Sequence, residues 1–354
     1  MMPKEGMELS YVDAILAAQT KILIENDQSL ILGINVTSPS AIFGSVQGLF
    51  QTFGPQRVIE SPASENAMTG IALGLATSGH VPILVHQRMD FAILSFDMLI
   101  NQVAKWNYMY GDKLHAPLII RMIVGRGWGQ GPQHSQSLHS TFMHVPGFRV
   151  YTPSSPQDIY SGLVEASRID SPSVFFEHRW LYDSRGEVDK SKEFLEHSTK
   201  TLSDSNASSL TVLSISFSTL EVLRAEKILR KQNIVIDVFE IVRLDQLDLE
   251  SILESLNRTR KLLIVDIGHA FAGAGAAVLS ELVTLGAIFD ERPQILGLPN
   301  HPTPTAPSLA KHYYPRCIDI LNSVRELISL PISFVDPDEG NQLDIPGDRF
   351  IGYY

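Results

Sequence analysis

A carboxylate that opens a helix is the first group in this chain placed to do chemistry. It is Glu65, in the run Val58-Ile59-Glu60-Ser61-Pro62-Ala63-Ser64-Glu65-Asn66. Pro62 ends the preceding extended segment, because its ring fixes φ and it has no N–H to donate. Ser64 suits the N-cap position, which puts Glu65 at the first helical residue. Gly70, Ala72, Gly74 and Ala76 follow, and such small side chains predict something packed close against the helix. Two readings fit this acid. It complements the positive end of the helix, or it faces a ligand from just past the carboxyl end of a strand, where open α/β sheets bind their ligands.

A histidine is the second candidate. His134 follows Gly125-Arg126-Gly127-Trp128-Gly129-Gln130-Gly131-Pro132, a run too rich in glycine for strand or helix, and it is flanked by Gln133 and Gln136. Such a loop is mobile and brings its backbone close to a ligand. An imidazole there exchanges protons near neutral pH, although a solvated loop histidine with no task fits the same local sequence. His86, His139 and His144 have no comparable neighbours and read as structural or surface residues. Cys or His ligand spacing for a metal is absent.

These groups have to be held by an alternation of helices and apolar strands. Residues 11–26 have helical spacing, and 29–36 form a buried-strand run ending at Thr37-Ser38-Pro39. Further strands are predicted over 82–86, 117–124, 149–151 and 173–177, with helices over 91–110 and 155–168. That order implies a mostly parallel sheet covered on both faces. The sequence turns polar from 183 to 209, and a second α/β pattern follows: strands over 210–216, 235–241 and 261–266, and helices over 219–232 and 270–285. The expected organisation is a first domain over 1–190, a linker over 191–209, a second domain over 210–335 and an acidic tail over 336–354.

Composition agrees with a two-domain protein. The chain has 354 residues, 44% of them hydrophobic, which suffices for sizeable cores. A net charge of -11 with a pI near 5.4 argues against nucleic acid, since phosphate binding needs clustered Lys and Arg. Cys317 is the one cysteine, so no internal disulfide framework exists and a reducing compartment is expected. Met1-Met2-Pro3-Lys4 does not read as a signal peptide, and no apolar run is long enough to span a bilayer. The expected location is the cytoplasm.

The Ser64-Glu65 element, then Gln87, Asp90 and Phe91, then Asp97, Asn101, Ala104 and Lys105, and finally Gln133-His134-Ser135-Gln136, together resemble a known family. It is the β subunit of the thiamine-diphosphate-dependent 2-oxo acid dehydrogenases of the pyruvate and branched-chain type. The similarity runs from Ile31 to Ile328, and Val242-Arg243-Leu244-Asp245 and Pro299-Asn300-His301-Pro302-Thr303-Pro304 resemble the C-terminal domain of transketolase-like proteins. The resemblance implies α/β architecture with two doubly wound domains, the first a pyrimidine-binding parallel-sheet domain and the second of the transketolase C-terminal type. It implies that Glu65 hydrogen-bonds the aminopyrimidine of thiamine diphosphate, that Phe91 lies against that ring and that Gln87 also contacts the cofactor. His134 then handles the bound intermediate at the entrance to the site and its transfer to a lipoyl group.

Two absences bear on partners. A Gly-Asp-Gly followed by Asn-Asn, the magnesium-diphosphate motif, is missing, and Gly111-Asp112-Lys113 and Gly347-Asp348-Arg349 lack the rest of it. The resemblance therefore implies an α-type partner that holds Mg²⁺ and the diphosphate, with a lipoyl acyltransferase as a further partner and a 2-oxo acid as substrate. The acid that the family tends to carry after the glycine matching Gly33 is replaced by Ile34 and Asn35, and Ile169 stands where an aspartate near a monovalent cation is common. Two other readings stay open: a two-chain transketolase-like carboligase, and a scaffolding subunit that keeps the fold without the catalysis.

Overall fold

The computed structural model describes residues 6–341; the opening run read for a leader, the tail beyond Asn341 and Gly347-Asp348-Arg349 lie outside the described residues. In chain order the strands are β1 (Met7–Ser10), β2 (Ser29–Gly33), β3 (Val58–Glu60), β4 (Val81–His86), β5 (Ile119–Val124), β6 (Arg149–Tyr151), β7 (Ser173–His178) and β8 (Arg185–Val188). They are followed by β9 (Thr199–Ser203), β10 (Thr211–Ile215), β11 (Asp237–Ile241), β12 (Leu262–His269) and β13 (Gln294–Leu298). The chain divides into two compact units. The first holds the residues up to 125 together with 141–196, and the second holds 126–140 together with the residues from 197.

In the first unit a six-stranded sheet runs β3-β2-β4-β5-β7-β6, every neighbouring pair parallel. Every residue of β4, β5 and β7 is buried. Strands covered on both faces read as continuous apolar runs, which is why Val81 to Val85 shows no alternation. The helix Tyr11–Glu25 begins at Ser10, whose Oγ accepts a hydrogen bond from the Asp13 N–H, and it buries Tyr11, Ala14, Ile15, Ala18, Ile22 and Leu23 on one stripe. That spacing of three and four is the face a helix turns to a core. The helix Pro156–Ala166 packs beside it, with Ser155 as its cap and proline in its first turn. An antiparallel ribbon, β1 with β8, lies apart from the sheet.

An ion pair is sealed inside this unit. Arg121 of β5 is fully buried, and its Nε and Nη2 donate to the two oxygens of Glu177 on β7 at 2.6 and 2.8 Å. Its Nη1 donates to Gln19 at 2.8 Å, and the Tyr182 hydroxyl donates to Glu177 at 2.8 Å.

In the second unit the order is β13-β12-β10-β11-β9, with β9 antiparallel to β11 and the other pairs parallel. The helices Ser218–Lys231 and Cys317–Leu327 cover one face, where Leu210, Val212, Leu229, Val265, Ile320 and Val324 close a core.

Two sequence expectations are corrected here. The stretch read as a linker, 191–209, contains β9, which pairs with β11 from Thr199 to Ser203. An edge strand with one side toward water needs no apolar run, so Thr199, Lys200, Thr201 and Ser203 gave no strand signal. The helix expected over 91–110 is broken into the short helix Met89–Ala92, a 3₁₀ turn Ile93–Ser95, a π-helix Asp97–Val103 and the short helix Trp106–Met109. Within it the Ala104 N–H reaches back five residues to the Leu99 carbonyl at 3.0 Å. The wider turn fits its surroundings: a Cβ on Gly147 would lie 1.8 Å from the Ala104 carbonyl oxygen, so another stretch of chain presses on that carbonyl.

The buried pair yields the first expectation. Glu177→Leu leaves the Arg121 guanidinium without its partner and should cost about 3–5 kcal/mol, whereas Arg121→Met with Glu177→Leu should recover most of that loss. Urea unfolding of the two variants measures both, and equal losses in the two would contradict this account.

Candidate active site

The topological switch of the first sheet lies between β2 and β4: from β2 the chain steps outward to β3 and then crosses back to β4 on the other side. Open α/β sheets bind ligands outside the carboxyl ends of the strands at such a point. The turn after β2 is built to be tight. A Cβ on Gly33 would sit 2.8 Å from the Val85 carbonyl oxygen and 2.9 Å from the Val36 side chain, so strand structure stops at Gly33 and not at Val36 as the apolar run suggested.

Two acids five residues apart take different tasks at this edge. Glu60, the last residue of β3, accepts hydrogen bonds from the Asn35 N–H at 2.5 Å, the Thr37 N–H at 3.0 Å and the Thr37 hydroxyl at 2.9 Å. It is occupied in holding the turn 34–37. Glu65 is the first residue of the helix Glu65–Thr77, half-buried, and its carboxylate has no hydrogen-bond partner among the described residues. Ser64 makes no side-chain capping bond, contrary to expectation. The helix start therefore keeps both its acid and its N–H groups available. Close packing behind it holds at Gly70, where a Cβ would lie 3.3 Å from the Met98 methyl, while a Cβ on Gly74 would meet nothing within 4 Å.

Gln87 stands directly after β4 and donates its amide to the Ile34 carbonyl at 2.9 Å, so it ties the ends of β2 and β4 across the switch point. Phe91 follows, half-buried, in the helix Met89–Ala92. Glu65, Gln87 and Phe91 thus all belong to the carboxyl edge of the first unit. His134, half-buried, belongs to the second unit with the loop 126–140.

That loop is anchored, which sequence reasoning missed. Arg126 is 4% exposed, and its guanidinium lies 4.3 Å from the Tyr314 ring centre and 5.3 Å from that of Phe217. Burial pulls its pKa down to about 10. A Cβ on Gly131, whose φ is +64, would come 2.3 Å from the Thr305 hydroxyl. Past His134, the Ser137 hydroxyl sits 3.0 Å from His139 Nδ1, and His139 Nε2 sits 2.9 Å from Asp266 Oδ1 with both side chains fully buried. A Cβ on Gly268 would lie 2.8 Å from the His139 ring, so the imidazole rests on bare backbone. Burial alone would raise the Asp266 carboxyl; His139 and the N–H groups of Gly268 and Gly275 outweigh it and hold the acid below its ordinary value. Only the middle of the loop, including Trp128, Gly129, Pro132 and Gln133, is exposed. Nothing in the sequence near His139 points to Asp266, so no local pattern was there to find.

Residues 8–184 match the transketolase pyrimidine-binding domain and residues 199–320 the transketolase C-terminal domain. The pyruvate dehydrogenase E1 component subunit beta of Rickettsia felis is 30% identical over 323 residues, covering 91% of this chain and 98% of that protein. The chain belongs to the E1 β-subunit family of thiamine-diphosphate-dependent 2-oxo acid dehydrogenases. The acetoin:2,6-dichlorophenolindophenol oxidoreductase subunit beta of Cupriavidus necator is 30% identical to this family member over 287 residues, covering 80% of this chain and 84% of that one. A solved split-gene transketolase, an inactive β4 tetramer, superposes with a TM-score of 0.73 at 18% identity over 92% of this chain and 99% of its own, a likeness of fold. In this E1 β-type chain no helix among the described residues is long and apolar enough to cross a membrane.

Removal of Asp266 tests the anchor. Asp266→Ala should cost about 3–5 kcal/mol at neutral pH, as loss of one member of a buried pair does. The acid is held low when folded, so its contribution is present above about pH 4 and fades as pH falls below that. Chemical unfolding at pH 7 and pH 3.5 reads the difference. Proteolytic cleavage within 128–133 should quicken in the variant, and unchanged cleavage would show that the pair does not hold the loop.

Proposed function

We propose that this chain is the β half of a 2-oxo acid decarboxylating component, completed by an α-type chain in an α₂β₂ assembly. The observation that carries the reading is the contrast between Glu60, saturated by three donors, and Glu65, left without a partner at an open helix start beside the switch point. The residues suit thiamine diphosphate: Glu65 offers a carboxylate to a pyrimidine nitrogen, Gln87 fixes the strand ends beside it and Phe91 supplies a ring. When bound, thiamine diphosphate supplies the nucleophilic carbon that attacks the 2-oxo acid. Glu65 holds a proton at its carboxylate oxygen, and the rigid helix start keeps that oxygen in place. Mg²⁺ and the diphosphate fall to the α-type chain, since this sequence has no motif for them.

His134 is the proposed acid–base group of the loop, exchanging protons as the acyl group leaves for a lipoyl domain. Its anchors at Arg126 and at Ser137–His139–Asp266 let only the exposed middle of the loop move. This makes the lipoyl acyltransferase the proposed downstream partner. Names among the relatives include both pyruvate and acetoin enzymes, so pyruvate, branched-chain 2-oxo acids and acetoin are the substrates to compare first.

Three outcomes are expected. The purified chain should bind thiamine diphosphate weakly even with Mg²⁺, and tightly once an α-type chain is added; calorimetry on both preparations decides. In the reconstituted assembly Glu65→Gln should leave assembly intact and slow exchange of the cofactor C2 proton by ~10²–10⁴-fold, the usual size of an acid–base contribution. Exchange in deuterated water followed by NMR measures it, and an unchanged rate would return Glu65 to the role of a helix-end charge. His134→Ala should abolish acylation of a lipoyl domain while decarboxylation with an artificial electron acceptor continues.

A further inference from the structure

The first unit carries a pair of cations that the catalytic reading leaves unused. Arg88 lies two residues past β4 and Arg179 directly past β7. Their guanidinium carbons sit 5.4 and 4.8 Å from the ring centre of Phe43, and Arg179 is also 4.9 Å from the ring of Tyr182. Phe43 is delivered there at a conformational cost. Ala41, Ile42 and Phe43 have φ of 46, 47 and 58°, a left-handed run that is unfavourable for any side chain and most of all for β-branched Ile42. Ala41 and Ile42 are 5% and 3% exposed, so packing holds the run, while Phe43 stays 39% exposed against the two arginines. Strain of this kind persists where the surrounding structure over-determines it, and it clusters at ligand clamps and active sites.

Among the described residues neither guanidinium donates a hydrogen bond or forms an ion pair, in a chain with 39 acids against 28 bases. Arg57 and Arg168 of the same unit are bonded. Arg88 is 8% exposed, and its Nη1 is sealed from water with no partner. Burial lowers its pKa; the Asp90 carboxylate opposes that, and the Arg179 charge lowers it further against a smaller opposing effect of Tyr182. An unpaired buried donor and a like-charge neighbour are both costly, and an oxyanion bridging the pair relieves both.

We propose that Arg88, Arg179 and Phe43 form a binding site for an organic carboxylate at the carboxyl edge of the first sheet. A carboxylate matches the planar donors of a guanidinium, and the exposed Phe43 ring offers its apolar substituent a surface. The site is separate from the cofactor residues. Arg88 has extended backbone, with φ -139° and ψ 137°, and its contacts differ from those of Gln87. Gln87 goes to the Ile34 carbonyl and Arg88 to Phe43.

The test uses the full chain without cofactor or partner, so that it stands or falls apart from catalysis. Sodium butanoate, acetate, phosphate and chloride are titrated at fixed ionic strength while thermal unfolding and the arginine Nε–H NMR signals are followed. Butanoate should raise Tm and shift two arginine signals, acetate less so. Arg179→Gln should raise Tm in chloride, because it removes a like charge, and should weaken butanoate binding about tenfold, as expected for loss of one charge-assisted donor. Arg88→Gln should likewise weaken butanoate binding about tenfold. A lower Tm for Arg179→Gln with the butanoate response intact would mean that the arginines only stack on Phe43, and the proposal fails. Equal responses to chloride and butanoate overturn the site, and a stronger response to phosphate overturns the carboxylate assignment.

Discussion

The Arg121 guanidinium is fully buried and its charge is met by the Glu177 carboxylate, and the rest of the first unit is arranged around that pair. Taking one ion out of water costs several kcal/mol even after relaxation, and a partner with good two-point geometry offsets it. Glu177 meets both hydrogen bonds at 2.6 and 2.8 Å, so β5 and β7 are held in one register. Gln19 draws in the helix Tyr11–Glu25, and Tyr182 brings in the turn after β7. A one-residue slip of β5 against β7 would separate the charges and turn apolar side chains to the wrong faces. The carboxyl edge inherits this rigidity. Tyr182 stacks on Arg179, and β4, which carries Gln87 and Arg88 at its end, is hydrogen-bonded to β5.

A division of labour recurs at the functional groups. Glu60 and Glu65 are five residues apart, and so are His134 and His139. In each pair one residue is consumed by its neighbours and fixes the ground for the other. Glu60 spends its oxygens on the turn that follows β2; His139 spends its ring on Ser137 and Asp266. What remains at the first of these places is the Glu65 carboxylate, whose surroundings are rigid while its own oxygens are not spent on the fold among the described residues. Identical residue types thus acquire different chemistry from burial and partners alone, which is how proteins set acid and base roles in general.

Glu65 at a helix start, the apolar runs of β4 and β5 and the two-fold α/β pattern were legible because each is a local signal, written within a dozen residues. The failures share a cause as well. β9 is polar because it forms an edge, and its strand identity exists only through β11, more than thirty residues away. The π-helix Asp97–Val103 has helical periodicity in sequence, and its widened turn answers to Gly147 pressing on the Ala104 carbonyl. Ser64 looked like a cap but does not bond. His139 reads in the sequence as structural or surface, and its structural partner Asp266 is remote, while the glycine-rich loop looked free because Tyr314, Phe217 and Thr305, which hold it, belong to the distant second half. Pairing across long sequence separations carries no trace in a single chain.

The loop 126–140 interrupts one unit and belongs to the other, and this has a consequence for the order in which the protein comes into being. During synthesis the first unit can close its sheet only after residue 178 has emerged, since β6 and β7 lie beyond the loop. At that moment the segment bearing His134 has nothing to dock on, because Asp266, Thr305 and Tyr314 are still unmade. At roughly 5–20 residues per second, several seconds pass before Asp266 appears and longer before Tyr314 does. The nascent chain therefore passes through a stage with a folded first unit and an undocked loop 126–140, its Trp128 and Arg126 exposed to whatever lies near the ribosome. Docking of the loop waits on the arrival of the C-terminal half.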